Sequence, residues 1–378
     1  MSELINAGGN SRKIRHHLLG TVCTVTLLLM VADGAATASE GDRPSVWIEL
    51  GAQLESIGND QQPFAPPFTL IEPQPAPFSP VSPLEAQTPP RRAIGGEGKI
   101  TFQSADSRWS FSAAVRYGRS NAKKHIHQQT SLGPQPYIHY GTYLTPTVEN
   151  FADTKSVQQE SHAVLDFQVG RDVGLGLFGR SGHSTVSMGV RFAQFNLHSD
   201  VSIYGHPNID VRSYHWHAFI LPFKYFHNYL ASAEMHRSFH GIGPSLSWSG
   251  DTPIAGNSDT GSIGIDWGVN GAVLFGRQKV NGVHSTTGYY FNQKYGYGHQ
   301  YVQQYQRANV PIHRSRSVVV PNIGGFAAIS FQRGDAKLTF GYRTDFFVHA
   351  MDDGVLTPHD GNHVLHGPFA SLSVGLGG

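Results

Sequence analysis

The chain has 378 residues, a formal net charge of +1 and only 15% charged residues. That sparse, balanced charge excludes a nucleic-acid-binding face built on excess lysine and arginine. A mean hydropathy of −0.27 excludes a bundle of membrane helices, but not a barrel, whose apolar and polar residues alternate and cancel.

The start reads as an export signal. Arg12, Lys13 and Arg15 form a basic segment, residues 18–31 an apolar run, and Ala36-Thr37-Ala38 a small-x-small cleavage site. This makes 1–38 a cleaved signal peptide and 39–378 the mature chain. The lone cysteine, Cys23, falls inside the signal, so the mature chain has no thiol, disulfide or cysteine-ligated metal.

Residues 46–54 alternate and predict the first strand. Residues 59–94 hold ten of the 22 prolines. Proline has no N–H for a sheet ladder, so this is a long loop. Strands two and three follow at 97–103 and 108–119, joined by a tight turn at 104–107. In the third, Trp109 and Tyr117 share the apolar face eight positions apart. A polar, histidine-bearing loop is predicted over 121–156. The fourth strand is 158–171 and the fifth 185–193, with a glycine-rich connection between them. Residues 196–229 read as a loop, with a possible hairpin over 211–219. The sixth strand is 233–249.

The clearest strand is the seventh, 262–280. Ile263, Ile265, Trp267, Val269, Val273 and Phe275 fall on one face, and Gly264, Asp266, Gly268 and Asn270 on the other. Its aromatics are again eight apart, which projects to about 20 Å along a tilted barrel axis. A Tyr- and Gln-rich loop is predicted over 281–314. Strands eight, nine and ten are 317–331, 337–350 and 363–376, with a tight turn at 333–336.

Connections after strands one, three, five and seven are long; those after two, four, six and eight are short. That pattern predicts an all-β fold: an antiparallel transmembrane β-barrel of about ten strands, with eight or twelve as alternatives. Short turns would face the periplasm and long loops the outside. Trp109, Tyr117, Trp267, Phe275, Phe340 and Tyr342 would form the lipid-facing aromatic girdle. Arg116, Asp166, Arg191, Asp266, Asn270, Arg343 and Asp345 lie on the opposite face. Charge facing hydrocarbon is costly, so they are expected to line the lumen, either along water or as a plug of salt bridges.

The last third carries a resemblance. Its pieces are Phe239-His240-Gly241-Ile242-Gly243-Pro244, Asp266-Trp267-Gly268, Leu274-Phe275-Gly276-Arg277-Gln278-Lys279, Gly341-Tyr342-Arg343-Thr344-Asp345-Phe346 and Gly367-Pro368-Phe369-Ala370. Together with Gly189-Val190-Arg191-Phe192, these are similar to the Legionella pneumophila major outer membrane protein family. The resemblance implies a pore-forming outer-membrane β-barrel of a Gram-negative bacterium, with no catalytic residues to carry over.

Other constellations are weaker. Residues 174–179 fit GxGxxG, but no helix follows to meet a pyrophosphate, so they read as a turn. His125-x-His127 and His215-x-His217 place two imidazoles on one strand face, yet no carboxylate is adjacent in sequence, so no metal or cofactor is expected. No GxSxG motif marks a serine hydrolase. The expected partners are outer-membrane lipid, small hydrophilic solutes or ions, and the barrel assembly machinery, not nucleic acid. The leading function is passive diffusion of such solutes. The alternative is a non-conducting barrel acting in surface adhesion or partner binding through its loops, with an outer-membrane lipid enzyme third.

Overall fold

Alternation of period two runs through nearly every segment described by the computed structural model, and it closes on itself. Described are residues 45–59, 91–103, 108–132, 137–139, 142–144, 148–174, 183–208, 224–257, 261–293 and 300–376. The signal segment, the proline-rich stretch, the turn at 104–107 and the 211–219 hairpin lie outside them. The strands are β1 (Ser45–Asn59), β2 (Arg91–Gln103), β3 (Trp109–Leu132), β4 (Tyr137–His139), β5 (Thr142–Leu144), β6 (Val148–Asp172), β7 (His183–Asn208), β8 (Lys224–Asn257), β9 (Gly261–Gln293), β10 (Gln300–Arg333), β11 (Ala336–Asp352) and β12 (Asp360–Leu376).

All but β4 and β5 form one closed antiparallel barrel, in the order β1-β12-β11-β10-β9-β8-β7-β6-β3-β2. The seam joins first strand to last, with Val46 opposite Leu376 and Asn59 opposite His363. Within the apolar band closure leaves no unpaired edge, which is what a strand needs in a medium without water; above it β10 before Asn322 pairs with β9 alone. β4 and β5 pair as a separate small hairpin, Tyr137 opposite Leu144. Each of the ten expected strands is therefore present.

Their lengths differ from expectation. Residues 91–94, assigned above to the proline-rich loop, begin β2. The loops predicted over 121–156, 196–229 and 281–314 are largely strand. β3 and β6 stay paired out to Leu132 and Val148, and β9 and β10 out to Gln293 and Gln300. The physical reason lies in a change of phase. Along β7, Val186, Met188 and Phe192 are exposed on the outside. From Ala193 the apolar positions are the other set: Ala193, Phe195, Leu197 and Ile203 are buried inside. β8 does the same between Ala231, Ala233, Met235 and Phe239, which are buried, and Ile242, Leu246 and Trp248, which are exposed. Below the switch the outside is apolar and the inside polar; above it the inside gains apolar layers and the outer wall turns mostly polar. A strand that leaves hydrocarbon needs a wet outer face, and its polar composition looks like a loop when read without the phase.

The outer band is continuous around the barrel. Leu50, Ile94, Phe111, Phe167, Met188, Leu246, Val269, Ile323, Phe340 and Leu372 are all exposed. An apolar surface of this extent has no place in water. Val269→Arg is expected to destabilise the folded barrel by about 2–4 kcal/mol in lipid, as for a cation near the midplane. Gln194→Arg, on the polar outside above the band, should be near neutral. Urea unfolding in lipid vesicles measures both; equal costs would rule out a lipid-facing band.

Candidate functional site: the barrel interior

Reading the inward positions of β7 from the short-turn end gives the order of layers. Thr185 and Ser187 line a chamber, Arg191 carries the charge, and Ala193, Phe195 and Leu197 form an apolar layer. Ser199 meets Arg237, and Ile203 belongs to a second apolar cluster.

The chamber has a volume of about 390 Å³ and is lined by Glu49, Lys99, Ser112, Asp251, Asp266 and Lys337 among others. Its inner wall is a charge network. Arg191 is buried and donates to both Asp166 oxygens at 2.7 and 2.9 Å. It also donates to Asn270 Oδ1 at 2.6 Å and to Asn322 Oδ1. Arg116 pairs with Asp345 at 2.5 Å. Arg343 pairs with Glu97 and lies over the Phe369 ring, 4.5 Å from its centroid. Asp266 accepts from Lys337 at 2.8 Å and from Ser330 at 2.7 Å.

All of Arg116, Asp166, Arg191, Asp266, Asn270, Arg343 and Asp345 thus point into the barrel, and each has a partner there. Of the expected girdle, Trp109, Tyr117, Phe275, Phe340 and Tyr342 are exposed on the outer face. Trp267 lies on that face too, edge-on to Trp248 at 5.0 Å. Glu97, Asn322 and Lys337 were not among the residues expected inside. Period two alone would have placed Glu97 and Lys99 on one face. The partner of Glu97, Arg343, is far away in sequence and gave no local signal.

The network needs glycine. A Cβ on Gly324 would collide with Asp345 Oδ1 and lie 2.9 Å from Asn270 Nδ2. Gly324→Ala is expected to cost about 1–3 kcal/mol by overpacking, read as a lower unfolding midpoint. An unchanged midpoint would show that the network yields freely.

Above the charges the lumen is filled. Phe195 lies 5.8 Å from Phe239, 4.8 Å from Phe347 and 4.3 Å from His363, centroid to centroid. Ile57, Leu274, Val320, Met351 and Leu365 complete the layer. Two buried acid–histidine pairs sit beside it. His162 meets Glu55 at 2.8 Å, and His363 meets Glu160 at 3.0 Å. Arg91 also pairs with Glu160.

Above this layer the β11–β12 connection is held against the inner wall of β8 and β10. At His349 the backbone takes a φ of 55°, and the ladder shifts between Phe347 and Met351. Alternation stops there: Ala350, Met351, Asp352, Asp353 and Gly354 are all buried. Arg314, from the stretch expected to be loop, holds this segment through Asp352 at 2.9 Å and the carbonyls of Gly354 and Val355 at 2.7 and 2.8 Å. Arg237 donates to the Asp352 carbonyl at 3.0 Å. Arg237, Arg314 and Asp352 are tolerated at this depth because each is hydrogen-bonded.

The histidine pair of β3 is also placed. His127 meets Asp153 at 2.9 Å and His125 meets it at 3.4 Å, all three on the outer surface. The carboxylate missing from the local sequence therefore arrives from β6. His215 and His217 lie outside the described residues. In the GxGxxG stretch only Gly174 is described, with a φ of 67°.

No family model and no curated protein matches the chain. Among solved structures it is similar to a deletion mutant of TodX, a monoaromatic hydrocarbon channel, at 8% identity over 89% of this chain and 91% of that one, with a TM-score of 0.19. The P. putida toluene transporter TodX matches at 8% identity over 89% and 90%, with a TM-score of 0.18. The Ralstonia pickettii toluene transporter TbuX matches at 8% over 88% and 90%, with a TM-score of 0.15. At such scores these likenesses carry no inference about what passes through this barrel.

Proposed function

We propose that the chain is a pore-forming barrel of the outer membrane, admitting small hydrophilic solutes or ions, and that its resting state is closed. The observation that carries this reading is the interior chamber of mixed charge, set inside an apolar outer band. A wall of paired acids and bases suits small hydrated solutes better than apolar ones. The apolar layer of Phe195, Phe239 and Phe347 acts as the gate, since a constriction of this kind excludes water until it widens. This reading accords with the resemblance to the Legionella major outer membrane protein family.

A second reading has its own observation. The described middle of the barrel is packed, and strands such as β8, of 34 residues, rise far beyond the roughly 25 Å apolar band. That geometry suits a non-conducting barrel that presents its upper walls to a partner.

Planar-bilayer recording of the folded protein separates the two. The pore reading expects rare, small steps from the native chain. Asp266→Asn removes a chamber carboxylate and leaves Lys337 without it, so the reversal potential in a salt gradient should shift toward anions. Silence from the native chain and from gate variants alike would reject the pore and favour the second reading.

A further inference from the structure

On the outer wall, above the apolar band, two strands bring metal-ligand side chains together. His198 of β7 stands opposite His236 of β8, and Asp200 opposite Glu234. Residues two apart share a strand face, so these four side chains form a block of two by two. All four point outward, where their neighbours Asn196 and Ser238 are also polar and stand opposite each other. Phe192 and Ile242 are the last exposed apolar residues below them. The block lies six residues above that edge, or about 15 Å along the axis at a tilt near 40°. It is therefore clear of hydrocarbon and reachable by ions.

The geometry is close to a chelate. One ligand atom from each of His198, Glu234 and His236 lies within 4.8 Å of the others. The two imidazoles stack with centroids 4.2 Å apart at 26°, and His236 Nε2 is 3.7 Å from Glu234 Oε1. Ligands around a tetrahedral ion, each at about 2.0–2.2 Å, are separated by about 3.3–3.6 Å, so small side-chain rotations bring the atoms onto one ion. A second observation points the same way. Nδ1 of His198 is shielded from solvent and hydrogen-bonds to no group among the described residues. A buried ring nitrogen without a partner is uncommon, and its lone pair is what a metal takes.

We propose that His198, His236 and Glu234 bind a borderline divalent metal such as Zn²⁺ on the outer wall of β7 and β8, with water or Asp200 as the fourth ligand. Two imidazoles and a carboxylate favour zinc, copper or nickel over the hard, all-oxygen ions magnesium and calcium. Both strands are held in a closed barrel, so the ligands are pre-positioned and binding joins β7 to β8. The proposal does not depend on whether the lumen conducts.

The test is calorimetric titration of the folded, detergent-solubilised protein with zinc chloride, with magnesium chloride in parallel. One zinc per chain is expected at this site, and no heat from magnesium. His198→Ala and His236→Ala should each abolish that binding, and Glu234→Gln should weaken it by about 10-fold or more. Zinc should raise the unfolding midpoint of the native chain but not of the histidine variants, while heat-modifiable gel migration confirms that the variants fold. His125→Ala with His127→Ala removes the exposed histidine pair of β3 and should leave the site intact. No heat with zinc overturns the proposal, and so does binding that survives His198→Ala.

Discussion

Arg191→Ala is expected to lower the stability of the barrel by about 3–5 kcal/mol, the usual result of removing one partner from a buried charge pair. Four hydrogen bonds converge on this guanidinium, from β6, β9 and β10. Its loss strands the Asp166 carboxylate and leaves the Asn270 and Asn322 carbonyls without their donor. The partner test is Arg191→Met with Asp166→Leu, which replaces the pair by apolar groups of similar size and should recover most of the loss. Denaturant unfolding in lipid, followed by gel migration and fluorescence, measures both. A cost below about 1 kcal/mol for Arg191→Ala would mean that water in the chamber screens these charges. The network would then be a wet lining and not a structural plug, which bears directly on the pore reading.

Phe195→Ala should have the second large effect, on conductance as well as stability. The ring is fully buried and touches Phe239, Phe347 and His363. Truncating a buried phenylalanine costs about 3–5 kcal/mol and leaves a cavity. Here the cavity opens in the apolar layer, four residues above Arg191 on the same face of β7, and so thins the barrier over the charged chamber. Frequent conductance steps are expected where the native chain gives rare ones. Phe195→Leu keeps most of the volume and should stay closed at a smaller stability cost. If Phe195→Ala folds, loses the expected stability and still conducts no more than the native chain, the apolar layer is not the gate.

The parts of the fold legible in the sequence were those where one face meets lipid. In 262–280 the outward set Ile263, Ile265, Val269, Val273 and Phe275 is exposed, as its alternation predicts. The seven charged and amide residues expected inside do lie inside. Strand ends were less legible, because the phase of alternation reverses where the wall leaves the apolar band. Between Phe192 and Ala193 the apolar set moves from one parity to the other, and a search for a single phase reads the rest as loop. The reversal was present in the residues: Phe195 and Leu197 follow Val190 and Phe192 at the wrong parity.

What the sequence determined by itself was therefore the architecture: a barrel of about ten strands, which face is apolar, and which charges must turn inward. Those follow from local period-two patterning against a nonpolar surrounding. Tertiary structure decided the partners. Arg191 with Asn322 and Arg343 with Glu97 meet only because strands that are not neighbours curve around one axis. It also decided that the middle of the lumen is filled, since Phe195, Phe239 and Phe347 come from separate strands. Cross-strand register placed His198 beside His236. None of these pairings has a local signature, because closing a sheet into a barrel joins residues whose separation along the chain carries no trace of the contact.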